Sequence, residues 1–318
     1  MNDKILKKLN AVAKLYNIAP VLSYEIQNGS QNSTYMIDTN QGQYIIKEYN
    51  KDSISNQYNL NKRKEQIRIS KELNDRNIKC IIPIQLKSKY FNLFNKKYYL
   101  LYKYEQEKSL ELKEITNEHI IKLAKTQCKI HKLNIDTTLP CTYKKINISF
   151  DKILRKYKNE PDVYNVLLKN RTNIESLIEL NNMYLKTIKN NLCLSHNDYK
   201  PQNILWDKTN PILIDFDAAG KVNPTCAFCE SAYTFSKLNK RVDFTRYKLY
   251  LETCVNNYKI KDNFYSALVV SMNGKLRWYQ YLLSKRNLYG IVSMTNELST
   301  YYKNIDKFNN IYNEIKRG

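Results

Sequence analysis

Short strand-like runs of hydrophobic residues fill the first hundred positions of the chain, and apolar residues at helical spacing dominate after them. The early runs fall at 21–26, 34–38, 43–49 and 98–103, and Asn40-Gln41-Gly42 between the second and third reads as a hairpin turn. One long helical pattern interrupts them at 53–77, with Ile67, Ile69 and Leu73 among Lys, Arg and Glu, and it ends before Pro83. The clearest later helix is predicted over 118–134, where Ile120, Leu123, Ala124, Ile130 and His131 recur. Two short strands, 204–206 and 211–214, flank the polar turn Asp207-Lys208-Thr209-Asn210. Helices are expected at 241–257, 262–288 and 291–315, with Gly274 and Gly290 as breaks or caps. The element type changes near residue 104. The pattern therefore predicts an α+β chain, with a small antiparallel sheet in 1–103 and a mostly helical part in 104–318.

Composition narrows the class. The 318 residues are 42% hydrophobic, enough for a real core without staples. No apolar run approaches a membrane span and the start lacks the apolar stretch of a signal peptide, so a cytoplasmic protein is expected. The seven cysteines are scattered, as suits reduced thiols; Cys226-Ala-Phe-Cys229 has metal-like spacing but no second ligand pair nearby. A formal charge of +22 would attract polyanions. The lysines, however, are spread along the whole chain rather than gathered into one arm or stripe, which disfavours a nucleic-acid partner.

The candidate chemistry gathers at Ser195-His196-Asn197-Asp198-Tyr199-Lys200-Pro201-Gln202-Asn203 and at Ile214-Asp215-Phe216-Asp217. Asn203 and Asp215 flank the two strands of the 204–214 hairpin and are expected to meet, since opposed side chains in such a ladder lie about 5 Å apart. An amide oxygen and a carboxylate suit magnesium, which keeps oxygen ligands and shares them with substrate phosphates. Asp198, on the loop before them, is free to orient an attacking hydroxyl.

The sequence His196-Asn-Asp198-Tyr-Lys-Pro-Gln-Asn203 followed by Asp215 resembles the H-x-D-x-x-x-x-N and I-D pattern of the aminoglycoside phosphotransferase and choline kinase family. The resemblance covers about 20–235 and implies a bilobal protein-kinase-like fold, with 1–103 as nucleotide-binding lobe and 104–318 as catalytic and substrate-binding lobe. It implies ATP, or else GTP, with Mg²⁺ as cofactors and a small-molecule hydroxyl as acceptor. Asp198 would be the catalytic base, Asn203 and Asp215 the metal ligands, and Lys200 would touch the transferred phosphate. His196 would brace the loop, and His131 is read as a packed structural histidine. Lys47, at the end of an apolar strand, would hold nucleotide phosphates and pair with Glu65, or less favourably Glu72, on the long helix. Ser30 and Asn32 in the polar loop 28–35 would approach the phosphates, and Tyr102 and Tyr104 lie where the lobes meet and adenine is expected.

The sequence departs from the pattern in two places that bear on function. Asp217 replaces the glycine of D-F-G, against protein-kinase-style loop switching, and the 28–35 loop has one glycine and no G-x-G-x-x-G. An aminoglycoside or related antibiotic is the first expected acceptor, with antibiotic resistance as its role; a choline-like amino alcohol or a sugar is the second. A cationic antibiotic wants an acidic cleft, for which Asp217, Glu230 and Asp243 are candidates. The reading of another class is a non-catalytic kinase-like scaffold or spore-coat protein, disfavoured by the joint presence of Lys47, Asp198, Asn203 and Asp215.

Overall fold

The computed structural model describes residues 2–27, 32–50, 53–239 and 241–317. The chain opens with α1 (Asp3–Leu15), which the sequence reading passed over. Asn2 caps it by accepting from the Lys4 and Ile5 amides, and Leu9, Val12 and Ala13 form its buried stripe. Strands β1 (Val21–Gln27), β2 (Ser33–Thr39) and β3 (Gly42–Tyr49) follow, then α2 (Gln57–Asp75), β4 (Asn92–Phe94) and β5 (Lys97–Lys103). They make an antiparallel sheet in the order β1-β2-β3-β5-β4. Thr39 pairs with Gly42 across the tight β2–β3 turn, and Gly42 adopts φ +117°, a conformation that side-chain-bearing residues avoid. α1 packs on one face of this sheet through Ile37, Ile46, Tyr99 and Leu101.

The remainder is mainly helical. It comprises α3 (Asn117–Lys132), α4 (Phe150–Lys156), the 28-residue α5 (Pro161–Ile188), α6 (Pro224–Phe235), α7 (Phe244–Asn257), α8 (Phe264–Ser271), α9 (Asn273–Lys285), α10 (Leu288–Lys303) and α11 (Ile305–Arg317). Between α5 and α6 lie the short strands β6 (Cys193–Ser195), β7 (Ile204–Asp207), β8 (Asn210–Leu213) and β9 (Gly220–Val222), and after α6 a small hairpin of β10 (Lys237–Leu238) and β11 (Arg241–Val242). The helix expected at 262–288 is broken at Met272, with Gly274 inside the first turn of α9, and the one expected at 291–315 is broken at Asn304. Asn287 caps α10 at the Gly290 amide. Among the described residues no helix is long and apolar enough to cross a membrane.

One core does not respect the change of element type at 103. Ile69 and Leu73 of α2, with Ile78 and Cys80 beyond it, are buried in the same cluster as α3, α5, α6 and α7. Residues 79–81 clasp β8 from both sides: the Leu213 amide donates to the Lys79 carbonyl at 2.9 Å, and the Ile81 amide donates to the Leu213 carbonyl at 3.1 Å.

Candidate active site

The hairpin that carries the chemistry is tighter than expected. β7 and β8 pair through Asp207↔Asn210, so only Lys208 and Thr209 turn, with Lys208 at φ 55°. The register places Ile204 opposite Leu213, and the next bond outward runs from the Ile214 amide to the Asn203 carbonyl at 3.1 Å. Asn203 is thus opposed by Ile214, not Asp215. The chain then bends through Asp215 in the left-handed conformation (φ 60°, ψ 70°), a state that Asp tolerates better than most residues.

Asp198 has one oxygen tied and one open. Its Oδ2 accepts from Lys200 Nζ at 2.8 Å and from Asn203 Nδ2 at 2.7 Å, while Asn203 Nδ2 also reaches the Asp198 carbonyl. Asp198 Oδ1 has no partner among the described residues, nor has the amide oxygen of Asn203. His196 donates from Nε2 to the Ile214 carbonyl at 2.8 Å, and so ties the loop to the end of β8. Burial lowers its pKa, as suits a neutral bracing histidine. His131 lies against Ser195 at 3.1 Å and Phe228, with burial pushing its pKa down to about 3. Both histidines are structural in their contacts.

Lys47 reaches across from β3 to this region. Its Nζ contacts Asp215 Oδ1 at 2.9 Å and Asp217 Oδ2 at 2.8 Å. Burial works against the charge, but Asp217, Tyr49 and Asp215 outweigh it and hold the ammonium well above its usual range. Burial likewise opposes the charge on Asp215, and Lys47 overrides it to lower the carboxyl's pKa. Asp217 is the hub of this junction: its carboxylate also accepts from Tyr49, Asn32 and Arg63, and its carbonyl accepts from Arg63 and Gln66.

Glu65 does not meet Lys47. Arg63, Gln66, Ile67 and Ser70 form the face of α2 that lines the cleft, and Glu65 is about 100° around the helix from Gln66. It is instead held by Arg68 at 2.7 Å and Thr137 at 2.8 Å, and Arg68 is the main cause of a pKa lowered to about 2. Glu72 is taken by Arg68 and Arg76. The expected lysine–helix carboxylate pair is thus replaced by Lys47 with Asp215 and Asp217. The sequence signal for it was Asp217 itself, noted as a departure but given no partner; Tyr49, Arg63 and Gln66 were missed.

Of the residues expected at the nucleotide, Lys47 and Tyr102 line the cleft together with Tyr49, Leu100, Asp215 and Phe216. Asn32 is tied to Asp217 and to Ser53. Ser30 lies outside the described residues. The Tyr104 amide is already committed to the Gln43 carbonyl at 3.1 Å, so it offers no free donor. A magnesium ion fits the chemistry of the donors present: the free Asn203 amide oxygen and the Asp215 carboxylate are hard oxygen ligands. Among the described residues no three His, Cys, Asp or Glu cluster as a self-contained metal cage.

The profile of the phosphotransferase enzyme family matches residues 24–229. The chain belongs to this family and is a small-molecule kinase. No curated protein sequence matches it. Among solved structures it is similar to spectinomycin phosphotransferase APH(9)-Ia in complex with ADP and spectinomycin (16% identity, 93% of each chain, TM-score 0.65). It is also similar to the amicoumacin kinase hAmiN in complex with AMP-PNP, Ca²⁺ and Ami (15% identity, 96% of each chain, TM-score 0.68). A third is the choline kinase LicA from Streptococcus pneumoniae (15% identity, 95% of this chain and 98% of that one, TM-score 0.58). These likenesses give the protein-kinase-like fold.

Proposed function

We propose that this kinase transfers the γ-phosphoryl group of ATP to a hydroxyl of a small molecule, with 1–103 as the nucleotide-binding lobe and 104–318 as the catalytic and acceptor-binding lobe. The observation that carries the reading is Asp198, whose Oδ2 is fixed by Lys200 and Asn203 while Oδ1 stays open to accept a hydroxyl proton. Asn203 and Asp215 would hold Mg²⁺, which supplies charge neutralisation at the phosphates. Lys47 would hold the phosphates in the cleft that Tyr102 also lines. Catalysis on this reading is mainly positioning and electrostatics. The test is Asp198→Ala, which should abolish ATP-dependent phosphorylation while leaving Mg·ATP binding by calorimetry intact. Full activity in the variant would remove Asp198 from its role.

For the acceptor, the expected order was an aminoglycoside or related antibiotic first and an amino alcohol or sugar second. Of the three acids needed for a polycation, only Glu230 lines the pocket beside the catalytic loop. Asp217 is saturated by Lys47, Tyr49, Asn32 and Arg63, and Asp243 caps α7 through the Thr245 and Arg246 amides. A single available carboxylate supports an acceptor with one cationic group over a polycationic antibiotic.

A further inference from the structure

The inference rests on the phosphotransferase reading and concerns the pocket next to Asp198. The cleft is open to solvent, and its polar lining includes Tyr143, Asn197, Glu230, Ser271, Asn273 and Arg277. Most of these groups are committed. Asn197 donates to the Ala218 carbonyl, Ser271 to Leu268, and Asn273 to Lys144 and Asn181. The Tyr143 hydroxyl accepts from the Asn223 amide.

Two charged groups are not. Glu230 makes no hydrogen bond or ion pair among the described residues: the nearby lysines, Lys237 and Lys275, are spent on Glu297 at 2.9 and 3.0 Å. Arg277 uses one guanidinium N–H on the Thr142 carbonyl at 2.6 Å and has no carboxylate partner. Its side chain is exposed, and partial desolvation lowers its pKa. Lys62 on α2 and Lys144 also form no ion pair among the described residues. Burial first, then Arg63, Arg277 and Lys144, push the Lys62 ammonium's pKa down, so these cations share one field. Arg63 is neutralised by Asp217.

The cleft therefore offers a lone carboxylate and, in the same lining, a guanidinium with no carboxylate partner. Glu230 is half-buried, and an unpaired charge held from water is costly unless a ligand brings the opposite sign, whereas Arg277 is exposed and offers its remaining guanidinium N–H groups to an anion. We propose that the acceptor is a compact zwitterion, a hydroxy amino acid in chemical class, with its hydroxyl at Asp198, its ammonium at Glu230 and its carboxylate at Arg277. A polycation is repelled by Arg277. A plain amino alcohol makes no use of Arg277, and a neutral sugar uses neither charge.

The reaction then forms a bond from the acceptor oxygen to the γ-phosphorus and breaks the bond from that phosphorus to the bridging oxygen of ADP. The hydroxyl proton passes to Asp198.

The experiment measures ATP-dependent phosphorylation of serine and homoserine, each beside the amino alcohol that lacks its carboxylate (ethanolamine, propanolamine), with kanamycin and glucose in parallel. Mg·ATP binding is followed by calorimetry on the same samples. At least one zwitterion should exceed its amino alcohol by about tenfold or more in kcat/KM, the worth of one charge-assisted bidentate contact. Arg277→Gln should collapse that ratio toward one while Mg·ATP still binds, and Glu230→Gln should raise KM for zwitterion and amino alcohol alike. Equal use of the amino alcohol, phosphorylation of kanamycin but of neither zwitterion, or an unchanged ratio in Arg277→Gln would overturn the proposal. If Mg·ATP binds and nothing in the panel is phosphorylated, the zwitterion proposal alone falls; if Mg·ATP does not bind, the phosphotransferase reading falls with it.

Discussion

At Asp217 a carboxylate stands where the D-F-G pattern has glycine, and Lys47, Tyr49, Asn32 and Arg63 all converge on it. A helix glutamate has no room to do the same work here, because Arg63 and Gln66 occupy the face of α2 that looks into the cleft. Asp217→Ala should therefore raise the KM for ATP about tenfold or more, since it frees Lys47 and leaves Arg63 unpaired. Glu65→Ala should leave that KM within about twofold, because its contacts are with Arg68 and Thr137 on the far side. Steady-state kinetics on the two variants separates the roles. Glu230 bears on stability instead. Burial first, with Asp198 and Glu297 adding to it and Lys275 and Lys237 opposing, pushes its carboxyl up to about 7 from 4.5. The folded state thus holds a proton that the unfolded state releases, and stability falls as pH rises between those two values. Glu230→Gln should melt a few degrees higher than the parent at pH above about 7.5 and level with it below about pH 4, which thermal unfolding across pH will read.

At the scale of elements, α2 belongs to two cores. Through Arg63 and Gln66 it faces the cleft that Lys47 and Tyr102 line, and it drives Ile69 and Leu73 into the cluster of α3, α5 and α6. Leu73→Ala should cost about 2–5 kcal/mol in denaturant unfolding, whereas Leu93→Ala on β4, where the side chain is 60% exposed, should cost within about 0.5 kcal/mol. The four long strands and α3 were legible because their apolar positions bury one face each and repeat at the period of the element. The candidate loop at 195–203 stood out because its residue types and spacing form a pattern that no packing requirement dictates. α1 was not, since its lysines mask a stripe of only Leu9, Val12 and Ala13. The 28-residue α5 was not either, because it is buried on several sides and its apolar residues follow no narrow stripe. The partner of Lys47 was hidden for a different reason. Helical phase at Glu65 depends on how α2 is rotated against the Phe216–Ala218 turn, and that rotation is fixed by Gln66 bonding to the Asp217 carbonyl, a contact 151 residues apart in sequence.

Over the whole molecule, the excess of positive charge and the nucleotide cleft make opposite demands on any binding measurement. A net charge of +22 draws polyanions, ATP included, to the surface at large, whereas on the proposed reading Lys47, Asp215 and Asn203 would hold phosphate and metal in one geometry. Ligand that binds only the folded state stabilises it by about 2.7 kcal/mol at a hundred times its dissociation constant. Mg·ATP should accordingly raise the melting temperature by several degrees. Removing Mg²⁺ with EDTA, or replacing Asp215 by Asn, should remove most of that gain. Heparin should also shift the melt at low salt, but through exposed lysines whose attraction is screened over about 8 Å at physiological ionic strength, so its effect should vanish as salt rises. The Mg·ATP effect should persist, because the Lys47 side chain is only 12% exposed and its field is screened less. A Mg·ATP shift that disappears with salt as heparin's does, or that is indifferent to EDTA, would place the nucleotide on the basic surface and remove Lys47, Asn203 and Asp215 from the site.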